Sequence, residues 1–106
     1  MNVEVKTSDY SPVDISINLI FHSKTTSLER IHVRNQVSTN VTSYLKELNM
    51  GSPLIINELI QRVMETSPQI LDMEIKQILV SDKERFIKNL EPSLEEQYYL
   101  RKIDVA

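Results

Sequence analysis

The sequence predicts a small α+β domain in the order β-α-α-β-β, with a mainly antiparallel sheet of three strands and two helices packed on one face. Three observations predict it. Val13, Ile15, Ile17, Leu19 and Phe21 alternate with Asp14, Ser16, Asn18 and Ile20, the period of a half-buried strand. Thr26 to Gly51 carries apolar residues at helical spacing and closes on the only glycine of the chain. Leu71, Met73 and Ile75 then return to alternation. Apolar stripes on two helices and an apolar sheet face are most economically buried against one another, in two layers.

The central helix has a legible start and stop. Thr26 followed by Glu29 fits a reciprocal cap, the hydroxyl accepting an orphan backbone N–H and the carboxylate reaching back. Val33, Val37, Val41, Tyr44, Leu45 and Leu48 fall on one face, and His32, Asn35, Gln36, Thr39, Ser43 and Lys46 on the other. Gly51 follows Leu48-Asn49-Met50, where a helix end needs a left-handed backbone at little steric cost.

Residues 1–12 break at Ser8-Asp9-Tyr10-Ser11-Pro12 and are expected to form an N-terminal arm or linker, leaving 13–106 as one α+β domain. After Gly51, either Ser52 with Pro53 or Asn57 could cap a second helix; a short extended link and a start at Asn57 is the favoured reading. Ile56, Leu59, Ile60, Val63 and Met64 share a face with either start, and Thr66-Ser67-Pro68 ends the helix. The second strand continues irregularly through Ile78, Leu79 and Val80. Ser81 to Glu96 is open between a short helix capped by Ser81 and Glu84 and a long hairpin loop. Gln97 to Val105 reads as the third strand, with Tyr99, Ile103 and Val105 on one side and Tyr98, Leu100 and Lys102 on the other.

Bulk properties restrict function. A chain of 106 residues buries roughly two-thirds of its unfolded surface, enough for one core. The 12 Lys+Arg against 15 Asp+Glu, a net charge of −3, argue against non-specific nucleic-acid binding. Zero cysteines remove disulfides, thiolate catalysis and cysteine zinc sites. With no long apolar run and no signal pattern at Met1, a soluble protein made in the cytoplasm is expected, with no membrane partner.

No chemistry-bearing constellation stands out. His22 and His32 lack an acid at metal-partner spacing, and a single glycine cannot build a glycine-rich phosphate cradle. Glu95-Glu96 reads as a solvated flank, and Asn40-Val41-Thr42 as a coincidental match to a glycosylation acceptor inside a helix. Met50, Met64 and Met73 read as core filler. The expectation is therefore a protein without catalytic, cofactor or metal residues and without a small-molecule substrate. Its candidate surfaces are the second sheet face and edge, through Ile20, Tyr98 and Leu100, and the polar helix face around His32 and Gln36.

The strand Asp14 to Phe21, the capped helix ending Tyr44 to Gly51, the segment Ile56 to Met64 and the run Ser67-Pro68-Gln69 to Ile75 together resemble a known family. They are similar to the C-terminal domain of phage baseplate assembly protein J and related contractile-tail baseplate wedge proteins, across roughly residues 13 to 80. Gln69 departs from the glycine usual after the proline, and 81–96 is longer and more charged than the family's loop. The resemblance implies a virion structural protein of the tail baseplate, pairing with a copy of itself or with a neighbouring wedge protein, without catalysis. A different class of function is a small adaptor or regulatory module that binds a peptide by adding a strand to the sheet edge. An enzyme with an unfamiliar site is the third reading, which a deep pocket lined by perturbed acids or histidines would favour.

Overall fold

The computed structural model describes residues 9–92 and 96–106. It is a mixed α/β structure with two helices and a four-stranded sheet. The elements are β1 (Asp9–Phe21), α1 (Ser27–Glu47), α2 (Ile56–Met64), β2 (Ile70–Val80), β3 (Lys83–Arg85) and β4 (Glu96–Val105). The sheet order is β3-β2-β1-β4. β2 is antiparallel to β1 and to β3, whereas β4 runs parallel to β1. The predicted three-stranded sheet is thus corrected to four strands, the extra one being β3.

α1 begins as the sequence predicts. The Thr26 hydroxyl accepts from the Glu29 N–H at 3.2 Å, and the Glu29 carboxylate accepts from the Thr26 N–H at 3.4 Å. Val33, Val37, Val41, Tyr44 and Leu45 are buried, and Leu48 caps the far end. Gly51 adopts φ 76°, and its N–H donates to the Glu96 carbonyl at 2.8 Å. The glycine expected to stop the helix lies beyond its end: α1 finishes at Glu47 with Leu48 as an extended C-cap. Gly51 belongs to the next turn, closed by the Ser52 N–H donating to the Asn49 carbonyl at 2.9 Å, from which it holds the start of β4.

α2 starts at Ile56, one residue before the favoured position, and its caps come from far away in the chain. Ile55 is the N-cap and offers no side-chain acceptor. Its own N–H instead donates to the Tyr44 hydroxyl at 3.0 Å, and the Ile56 N–H donates to Asn89 Oδ1 at 2.9 Å. Burial raises the Tyr44 phenol above its ordinary pKa, partly offset by the Ile55 hydrogen bond. Asn89→Ala leaves a helix-start N–H without its acceptor. It is expected to cost about 0.5–2 kcal/mol in urea unfolding, with Asn89→Asp largely restoring the midpoint.

β1 supplies the spine of the core. Val13, Ile15, Ile17, Leu19 and Phe21 are all buried. α1 packs over β4 and α2 over β2, so these side chains fill the seam between the helices. β1 also begins earlier than predicted: residues 9–12, expected in the arm, pair with 96–99 of β4. The remainder of that arm, residues 1–8, lies outside the described residues.

The strands keep one apolar face only because the pairing slips at three places. Pairing passes from Ser16↔Gln77 to Ile17↔Ile75 and from Ile20↔Asp72 to Phe21↔Ile70, so Lys76 and Leu71 are extra residues in β2. It passes from Val13↔Leu100 to Asp14↔Lys102, so Arg101 is the extra residue in β4. Each extra residue inverts the alternation beyond it. Ile70, Met73, Ile75, Ile78 and Val80 consequently all face the helices despite mixed parity. Tyr98 and Leu100, on even positions, share that face with Ile103 and Val105, on odd ones.

Segment 81–96, open in the sequence between helix and loop, is a hairpin turn followed by a crossover. Ser81 and Asp82 take φ 51° and 66°, a two-residue connection between paired Val80 and Lys83. The Ser81 N–H donates to the Pro12 carbonyl at 2.9 Å. The chain then leaves the β3 edge, and Leu90, buried in the core, exchanges two backbone hydrogen bonds of 2.9 Å with Leu54 of the α1–α2 connection. That crossover from one sheet edge to the other is what makes β4 parallel to β1. Residues 93–95 lie outside the described residues.

Candidate functional site

The surfaces open to a partner follow from the sheet order. β4 ends the sheet, so the outer edge of Glu96–Val105 pairs with no strand among the described residues. The direction of its free backbone groups is fixed by the last residue. The Ala106 N–H donates to the Ile17 carbonyl at 2.9 Å, and the Leu19 N–H donates to the Ala106 carbonyl at 2.8 Å. Both polar groups of Ala106 face β1, and alternation turns those of Val105 and Ile103 toward the free edge. Across the bulge at Arg101, the same alternation turns out the groups of Leu100 and Tyr98, in line with the outward Glu96 carbonyl held by Gly51.

Beside this edge runs a groove of about 300 Å³ between α1 and β4. It is lined by Thr42, Leu45 and Lys46 from the helix and by Gln97, Tyr98, Tyr99 and Leu100 from the strand. Lys46 is the one charged side chain of the lining. It sits in the last turn of α1, where a cation complements the helix dipole, and it is exposed. Gln97 closes one end by donating to the Leu48 carbonyl at 3.1 Å.

Tyr98, expected from the sequence on the second sheet face, is instead 2% exposed and belongs to the core. Burial, reinforced by nearby Glu96 and opposed by Arg85, pushes its phenol pKa up. Leu100, also placed on the second face from the sequence, is half-buried against the core on the helix side. The bulge at Arg101 is the cause of the misplacement. Ile20 is on the outer face and 43% exposed, next to the extra residue Leu71 across the β1–β2 pairing.

The exposed aromatic of the pair is Tyr99, whose ring meets Tyr10 edge-on at 6.4 Å between centroids. Tyr10 falls in the expected arm, so period-two reading had no partner to offer Tyr99. His32 and Gln36 are exposed, as predicted, and line a shallow groove of about 260 Å³ with Asn35, Thr39, Asn40 and Thr66. Asn40 Nδ2 donates to Thr66 Oγ1 at 2.8 Å across this groove, tying α1 to the end of α2. The two histidines do not converge with acids: no group of three or more metal-ligating side chains occurs among the described residues.

The outer sheet face carries one strong electrostatic feature. Arg101 makes a bidentate contact with Asp14, Nε to Oδ1 at 3.0 Å and Nη2 to Oδ2 at 2.6 Å, and also pairs with Asp82. The extra residue of β4 is thus fastened to β1 and to the β2–β3 turn. The Arg101 hydrogen bond, aided by its charge and that of Lys102 against some desolvation, holds the Asp14 carboxyl below its ordinary pKa. A lowered folded pKa adds stability above the unfolded value near 4, and that stability is lost as pH falls through the folded value. The urea midpoint is therefore expected to lose a share below about pH 4 that Asp14→Asn no longer loses.

No helix among the described residues is long and apolar enough to cross a membrane. Compared with known proteins, the chain matches no family model and no characterised protein.

Proposed function

We propose that this chain is a structural protein–protein interaction domain of a contractile-tail baseplate wedge protein. It acts by contact, without catalysis or cofactor, pairing with a second copy or with a neighbouring wedge protein as the baseplate closes around the tail tube. Its place is the virion baseplate, after synthesis in the host cytoplasm. The observation that carries the reading is the segment order to which the resemblance points. A strand, a capped helix followed by a Gly51 turn, a second helix and a Ser67-Pro68 turn opening the next strand follow one another from β1 to β2. The open β4 edge and the exposed apolar residues Ile20 and Leu71 on the outer face support a role through contact.

A gold-labelled antibody against the chain, applied to purified tail particles from its source, is expected to decorate the baseplate end. Particles that carry no label and yield no peptide of the chain by mass spectrometry would overturn the assignment. The second reading, a peptide-binding adaptor, is favoured by one feature: the apolar groove lying directly beside a free strand edge.

A further inference from the structure

The geometry points to the β4 edge and the α1–β4 groove as one composite site for an extended segment of a partner protein, apolar at alternate positions and carrying an acidic residue. It rests on the contact reading above but not on the baseplate assignment. Two observations converge on it. Tyr98, Leu100, Ile103 and Val105 turn their backbone N–H and C=O groups to the open edge, so an incoming strand finds a ladder to complete. The groove opens beside that ladder, floored by Leu45, Tyr98 and Leu100, and it suits an apolar side chain from the helix-facing side of the added strand. Alternation places apolar residues at every second position of such a strand.

The charge of the partner follows from Lys46. It is the single charged group of the groove lining, it is exposed, and it forms no ion pair among the described residues. An acidic side chain on the added strand meets it across the groove, whereas a basic one is repelled. Gly51, already bonded to the Glu96 carbonyl, closes the edge at its start, so the added strand lies along Tyr98 to Val105.

The test is selection of displayed random short peptides on the full chain, followed by titration of the most enriched peptide as a synthetic probe. Enrichment of alternating apolar sequences containing Asp or Glu is expected. On titration, the amides of Tyr98, Leu100, Ile103 and Val105 should become slow to exchange, with those of Lys102 and Asp104 unchanged. Lys46→Glu, at an exposed position, should keep the thermal midpoint, weaken that peptide about tenfold and enrich basic peptides instead. Failure of any sequence to enrich, or binding indifferent to Lys46→Glu, would overturn the site. Protection of the same amides that grows with protein concentration in the absence of peptide would overturn the separate partner and assign the edge to a second copy. Peptide capture with unlabelled tail particles would remove the baseplate assignment alone; labelled particles with no capture would remove this site alone.

Discussion

Tyr98→Asp is expected to unfold the chain. The side chain is 2% exposed beneath α1, and truncating a buried aromatic costs roughly 3–5 kcal/mol before any charge is considered. Burying an unpaired carboxylate adds to that, against a total stability of about 5–15 kcal/mol for an ordinary domain. Circular dichroism should show no cooperative thermal transition for this variant. Tyr99→Asp is the control: its ring lies on the outer face against Tyr10, and the cost should stay within about 1 kcal/mol. If both variants melt like the parent chain, the burial of Tyr98 is wrong.

Deleting Arg101 should be nearly as damaging, through the backbone more than the side chain. Removal of the extra residue restores strict alternation in β4, so either Tyr98 with Leu100 or Ile103 with Val105 must turn to the outer face. Each apolar side chain moved from core to water costs roughly 1.5–3 kcal/mol. Arg101→Gly keeps the bulge and loses only the contacts to Asp14 and Asp82, so its urea midpoint should fall much less than that of the deletion. Equal loss in the two variants would mean that the clamp, not the register, governs β4.

These two experiments mark where local sequence rules stop. β1 and the start of α1 were legible because their signals are local: alternation from Val13 to Phe21 and a cap spanning the four residues Thr26 to Glu29, whereas the end of α1 falls at Leu48, before the glycine expected to stop it. β4 was read with the right span and the wrong faces, since nothing in Tyr98-Tyr99-Leu100-Arg101-Lys102 announces an extra residue. A hint was present, in that Tyr98 and Leu100 have even positions and Ile103 and Val105 odd ones, which a single bulge reconciles. The start of α2 was misplaced by one residue because its acceptors, Tyr44 and Asn89, are far away in sequence. β3 was hidden because its turn uses Ser81-Asp82, without the Asn-Gly or Asp-Gly pair that signals such hairpins.

The candidate surfaces divide the same way. His32, Gln36 and Ile20 were legible as exposed from helical spacing and from the strand period. The α1–β4 groove was not, because it depends on β4 lying at the sheet edge parallel to β1, a consequence of the crossover through Leu90. Lys46 was readable as solvent-facing, but its position at a groove rim exists only once Gln97 to Leu100 are laid beside α1.

Self-pairing, the part of the contact role that the isolated chain can show, is tested most directly by its solution mass, measured by light scattering coupled to gel filtration over a wide dilution series. The proposed self-pairing predicts a species of twice the 12.3 kDa chain mass that persists on dilution. A monomer at every concentration would contradict it.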